Sequence, residues 1–464
     1  MSSLKNTLLD YFDSNREKLL EEFFEFLRFE SISSEPQYEP QVRECASWLK
    51  SYLMSIGVQA EIYSEYGHPI VYGHLLKAGA NAPTVLIYAH YDVQPVDPLE
   101  LWQTPPFDPQ IRDGQVYARG AMDDKGQCYY TLAALKALME TQGKLPVNVK
   151  LIIEGEEEVG SAAIAQFARE QGDLIAADYL LVVDFGFLKA SVPAITLGVR
   201  GITTYSLTLR GSKSDMHSGV HGGIAYNPNH ALVDILAALR DDQGRVSVPG
   251  FYDNIRPLTE SEQSIIDFSF DEGEYEAITG GKANGGEQDC APLESSWLRP
   301  TLEVNGISGG YSGEGFKTVI PAQASAKISC RLVPDQDGEK ISAALIEFLK
   351  SRVPNGMELE IRSDHSGPPL RTSADSRAVK LCAESFEEVC EASCKYILCG
   401  GSVPITAALS EASGAEALLI GYGLPTDNMH APNEHFGVER IRKGMATLGV
   451  ILDKFGSEGR EESS

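Results

Sequence analysis

Residues 84–93 read TVLIYAHYDV. A continuous, partly β-branched apolar run of this length is what a strand covered on both faces requires. It runs directly into His90 and Asp92. Similar apolar runs occupy 147–153, 179–183 and 417–421, with helical patterns at 125–139 and 162–171 between them. Strands alternating with helices predict an α/β fold with a mostly parallel sheet. Each run ends in polar residues, and ligands of open α/β sheets bind at that edge.

The pattern changes near residue 199. A strand at 203–210, a helix at 230–240, a strand at 324–333, a helix at 338–351 and a strand at 357–362 predict an α+β unit of the split βαβ kind. The α/β alternation returns after about 366. The expected organisation is therefore a domain made of 1–198 and 367–464, with 199–366 inserted into it. Residues 243–310 read as loops or an elaboration of the insert, and the Gly-rich 306–315 reads as loop. The tail after Phe455, GSEGREESS, reads as disordered. Segment 8–29 alternates apolar and charged residues as an amphipathic helix does, unlike a signal or membrane segment.

The 464 residues carry 39 Lys and Arg against 66 Asp and Glu, a net charge of −27. Such a field repels phosphate backbones and anionic lipid, which argues against nucleic-acid or membrane partners. Eight scattered cysteines without paired spacing are expected to be reduced thiols in a cytoplasmic protein. Cys390, Cys394 and Cys399 match no common zinc spacing.

Side chains with chemistry gather at the strand ends. His90 and Asp92, two apart, share one side of a strand, so the carboxylate can orient the imidazole; alone, the pair also fits an ordinary structural contact. GAMDDKG (120–126) places Asp123 and Asp124 at a helix start, where both cannot cap well. EGEEEVGS (154–161) puts four glutamates after a core strand. Desolvated like charges raise one another's pKa unless a cation lies between them, although an exposed acidic loop would carry the same letters. Asp184 ends the run YLLVVD, and His430 follows another apolar run in DNMHAPNE. Nitrogen and oxygen donors of these kinds suit two hydrolytic divalent ions.

HYDVQP, GAMDDKG, EGEEEVGS, Asp184, DMHSGVHGG (215–223), KTVIP (317–321), SCRLVP (329–334), GGSVPI (400–405) and DNMHAPNE (427–434) occur in an order and spacing that resemble the M20 family of dinuclear metallopeptidases. The chain is most similar to the branch of cytosolic nonspecific dipeptidases and carnosinases. The resemblance implies a zinc-peptidase-like catalytic domain with an inserted ferredoxin-like lid and dimerisation domain. It implies two divalent ions, Zn²⁺ or Mn²⁺, with His90 and Asp184 on one, Glu158 and His430 on the other, and Asp123 bridging. Asp92 would stand behind His90, and Glu157 would be the general base for a metal-bridging water. His217 would steady the oxyanion, reaching into the site of the other subunit of a homodimer. Thr318, Arg331, Ser402 and His430 would contact a small peptide substrate with a free carboxylate. His365 lies in the interdomain HSGPP segment and could reach the cleft. The resemblance also implies a cis bond between Asp123 and Asp124. Hydrolysis of dipeptides is the expected function. The alternatives are deacylation of N-acyl amino acids on the same scaffold, or a catalytically silent metal- or peptide-binding protein.

Overall fold

The computed structural model describes residues 3–401, 403 and 405–461, without the side chains of 365 and 459–461. The quoted run forms the strand Thr84–His90 in the middle of a nine-stranded sheet. Asn148–Glu154 flanks it on one side, and Tyr179–Val183 and then Glu416–Ile420 on the other. All three junctions are parallel. Beyond these four strands the sheet is mixed. Ile70–Leu75 pairs antiparallel with Asn148–Glu154, and Gln59–Tyr63 antiparallel with Ile70–Leu75. On the far side Ala194–Val199 is antiparallel to Glu416–Ile420 and carries Leu370–Arg371 and the parallel strand Lys395–Cys399. The parallel reading thus describes the middle, where apolar runs are covered on both faces, and not the edges.

Helices cover both faces. On one, Leu4–Leu27, Lys125–Gln142 and Val438–Glu461 pack together over Val85, Ile87 and Leu181. On the other, Ala162–Glu170 and Ile405–Ser413 cover Leu86, Tyr88 and Leu180. Lys125–Gln142 ends at Gly143, whose φ of 71° is the left-handed cap that favours glycine. The C-terminal helix runs to Glu461, so the tail expected to be disordered is helical this far.

A second sheet is wholly antiparallel, in the order Thr301–Gly309, Gln323–Leu332, Gly201–Arg210, Glu358–Gly367. With the helices Pro228–Ala237 and Gly338–Ser351 it encloses its own core around Leu207, Leu232, Ile328 and Leu345. The chain order is strand, helix, strand, strand, helix, strand, the split βαβ arrangement. Thr301–Gly309 was expected to be partly loop. It is the sheet's edge strand, and with little beyond Leu302 buried it shows no apolar alternation to read. Residues 243–310 divide: Val246, Val248, Phe251 and Leu302 join the core of the second sheet, as an elaboration of it would, whereas Ile266 and Trp297 are buried in the main core. Among the described residues no helix is long and apolar enough to cross a membrane.

Candidate metal centre

Four parallel strands end at one edge, and their last residues lead into the acidic loops. His90 closes Thr84–His90 and is fully buried. Its Nε2 lies 3.1 Å from Asp123 Oδ1 and 3.9 Å from Asp184 Oδ2. His430 Nε2 lies 2.8 Å from Asp123 Oδ2 and 3.3 Å from Glu158 Oε2. Asp123 therefore shows one oxygen to each imidazole. Ligand atoms of His90, Asp124 and Asp184 lie within 4.8 Å of one another, and so do those of Asp123, Glu158 and His430.

The loops are held from beneath. Asp92 accepts the N–H groups of Glu157 and Glu158 at 3.1 Å each and the Ser33 hydroxyl at 2.6 Å. It also lies 3.4 Å from His90 Nδ1, which is 3.1 Å from the Asp92 carbonyl. Asp123 and Asp124 are joined by a cis peptide. Asp124 accepts the His90 N–H at 3.1 Å, and its other oxygen is buried without a partner. Glu434, unassigned from the sequence, accepts the N–H groups of Gly120, Met122 and Asp123 and pairs with Arg119 at 2.8 Å. One buried carboxylate of the His430 loop thus fixes the loop carrying Asp123. His430 itself has φ 60°, flanked by Asn428 and Asn433 in the same region.

The four glutamates divide by environment. Glu154 accepts the hydroxyls of Tyr88 and Ser161 at 2.6 and 2.9 Å, beneath the strand end. Glu156 turns away to accept the His68 N–H. Only Glu157 and Glu158 remain for the centre.

Charge makes the case for a cation. Burial, then neighbouring carboxylates, push Asp184 and Asp124 well above the usual carboxylate range. Burial, with Glu158, Asp123 and Asp92 close by, pushes Glu157 up to about 8. Hydrogen bonds to Asp123 and Glu158 push His430 up to about 10. Burial opposes a charge on His90, yet Asp123 and Asp92 hold it well above its ordinary value. Only Asp123 is held low, by the two histidines and against burial. Two imidazoles with buried carboxylates, one oxygen orphaned, are a donor set that fits divalent ions.

The remaining expected residues lie elsewhere. His217 and Thr318 come together on the second unit, where Met216–His217 pairs with Val319–Ile320 and both residues are exposed. Arg331 lies on Gln323–Leu332 opposite Thr301. Ser402 lies outside the described residues, as does the side chain of His365. All eight cysteines are free, and none belongs to a described metal-ligand cluster.

Comparison with known proteins agrees with this architecture. The model of peptidase family M20/M25/M40 matches residues 86–454. The Cys-Gly metallodipeptidase DUG1 of Candida albicans is 31% identical, over 97% of each chain. The M20 family metallo-carboxypeptidase Sso-CP2 of Sulfolobus solfataricus superposes with a TM-score of 0.87 at 34% identity, covering 95% of this chain and 99% of that one. Human carnosine dipeptidase 1 superposes with a TM-score of 0.84 at 26% identity, covering 98% and 99%. The chain belongs to the M20/M25/M40 peptidase family and is a dipeptidase-like peptidase.

Proposed function

We propose that the protein hydrolyses the amide bond of dipeptides, or of similar small substrates with a free carboxylate, using two divalent ions. The observation that carries this reading is the Asp123 carboxylate, whose two oxygens face His90 and His430 separately. His90 and Asp184 would hold one ion, Glu158 and His430 the other, with Asp123 between them. Bound there, Zn²⁺ or Mn²⁺ would polarise the scissile carbonyl and acidify water. Asp124 binds the His90 backbone and so serves to place that ligand.

Glu157 would take the proton of the attacking water and return it to the leaving amine. Asp92 sets its position through the Glu157 N–H. His217 Nδ1 accepts the Gly219 N–H at 3.0 Å, which leaves the proton on Nε2 to donate to a developing oxyanion. We place His217 on a lid formed by the inserted unit, residues 199–366, acting across a twofold homodimer. Arg331 would hold the substrate carboxylate, with Thr318 and Ser402 as further contacts. Free thiols support a cytoplasmic setting.

Metal-reconstituted protein offered dipeptides and N-acetyl amino acids side by side tests the assignment. Faster turnover of dipeptides, with two ions per chain by elemental analysis, is expected. Turnover of the acyl amino acids alone would make it a deacylase, and absence of both would make it a binding protein.

A further inference from the structure

The glycine pair Gly400–Gly401 leads into Ser402, and one residue grips it. Arg200 stands where the chain leaves Ala194–Val199 for Gly201–Arg210, at the root of the second sheet. Its backbone N–H donates to the Gly401 carbonyl at 3.1 Å, and its Nε donates to the Gly400 carbonyl at 2.8 Å. Nη1 reaches the Arg299 carbonyl at 3.3 Å and Thr301 Oγ1 at 3.1 Å. Thr301 in turn pairs across the sheet with Arg331. A Cβ on Gly400 would meet Ser296 Oγ at 2.5 Å and Arg200 Nη2 at 3.3 Å, so the grip leaves room for glycine alone.

These hydrogen bonds go to neutral acceptors, and Arg200 as a whole is only 9% exposed. Burial, and next the charge of Arg331, push it down to about 10. Leu332 pairs with Gly201 and Arg331 with Thr301, which sets the two arginines side by side at the root of the second sheet. Like charges this close repel each other, and an anion that reaches them is favoured.

We propose that Arg200 is a positioning and specificity-determining residue for the free carboxylate of the substrate. It holds the glycine loop against the root of the inserted unit and adds a second positive charge behind Arg331. The favoured substrates are then peptides with an uncapped C-terminus. The inference rests on the dipeptidase reading above.

The experiment compares kcat/KM for a dipeptide and for the same dipeptide with its C-terminus amidated, in the wild-type holoenzyme and in Arg200→Lys and Arg200→Met. The wild type is expected to prefer the free acid. In Arg200→Met that preference should fall by roughly tenfold or more, mostly through KM for the acid, as loss of a charge-assisted contact implies. Arg200→Lys, which keeps the charge and loses the fork, should fall between. Damage to the fold alone lowers both substrates together and leaves their ratio unchanged. An unmoved ratio in both variants overturns the role of Arg200 while leaving the dipeptidase reading intact. A wild type that hydrolyses no dipeptide overturns both.

Discussion

Glu157 and Glu158 are adjacent, and one carboxylate, Asp92, receives both backbone N–H groups. Glu157→Gln is expected to cut kcat by about 10²–10⁴ with two ions still bound, as for loss of a general base. Glu158→Gln should instead lose metal, read by elemental analysis; exchanged phenotypes would move the assignment by one residue. Glu434 carries a different prediction, because four buried donors converge on it. Glu434→Gln leaves Arg119, 1% exposed, without its charged partner and with the Pro95 carbonyl as acceptor. Breaking such a buried pair costs about 3–5 kcal/mol, so the denaturant midpoint should fall and a chelator should strip metal faster. Glu434 escaped the sequence reading although it sits in the quoted motif DNMHAPNE, since a supporting carboxylate looks like any acidic loop residue until its donors are seen. Asp124 is singled out by its crowded helix start, but its hold on the His90 N–H shows only in the structure. His90, Asp184 and His430 stand out in the sequence because each follows an apolar run, and Asp123 because it shares a helix start with a second carboxylate that cannot also cap it.

At the scale of elements, the clearest strands were those whose apolar runs have cover on both faces, such as 179–183, which matches Tyr179–Val183 residue for residue. Thr301–Gly309 was not legible, because an exposed edge strand with glycines at 306 and 309 imposes no alternation. The helical layer rests on contacts that no local pattern announces. Glu22 accepts Lys136 Nζ at 2.6 and 2.9 Å, the Tyr52 hydroxyl at 2.9 Å and the Tyr129 hydroxyl at 3.2 Å. It thereby joins the N-terminal helix to Glu39–Ser55 and Lys125–Gln142. Glu22→Gln should destabilise by about 2–4 kcal/mol through the largely buried Lys136 left unpaired, with metal content unchanged. Gly421 offers a second test. A Cβ there would lie 1.9 Å from the Phe185 carbonyl oxygen, so Gly421→Ala must push apart the strand ends that carry Asp184. A variant as stable and active as the wild type would show that this junction yields.

For the whole molecule, subunit cooperation and charge give separate tests. Mixing His217→Ala with Glu157→Gln chains should restore roughly a quarter of wild-type activity if the histidine acts across a twofold interface, since one site of each mixed dimer is then intact. No recovery after verified exchange would place His217 in its own chain's site. The net charge of −27 opposes anionic ligands at long range. Raising salt from about 10 to 150 mM should therefore raise kcat/KM for a dipeptide of net charge −1 more than for a zwitterionic one. The order of strands has a consequence of timing. Glu416–Ile420 lies between Tyr179–Val183 and Ala194–Val199, yet it is synthesised more than 200 residues after both. On the ribosome the main sheet must wait with a gap at its middle while the second sheet, whose strands all lie within 201–367, already has every partner it needs. Nascent chains stalled near residue 410 should resist protease over the second unit and be cleaved within 84–183, and protection there should appear once the final strand and helix have emerged.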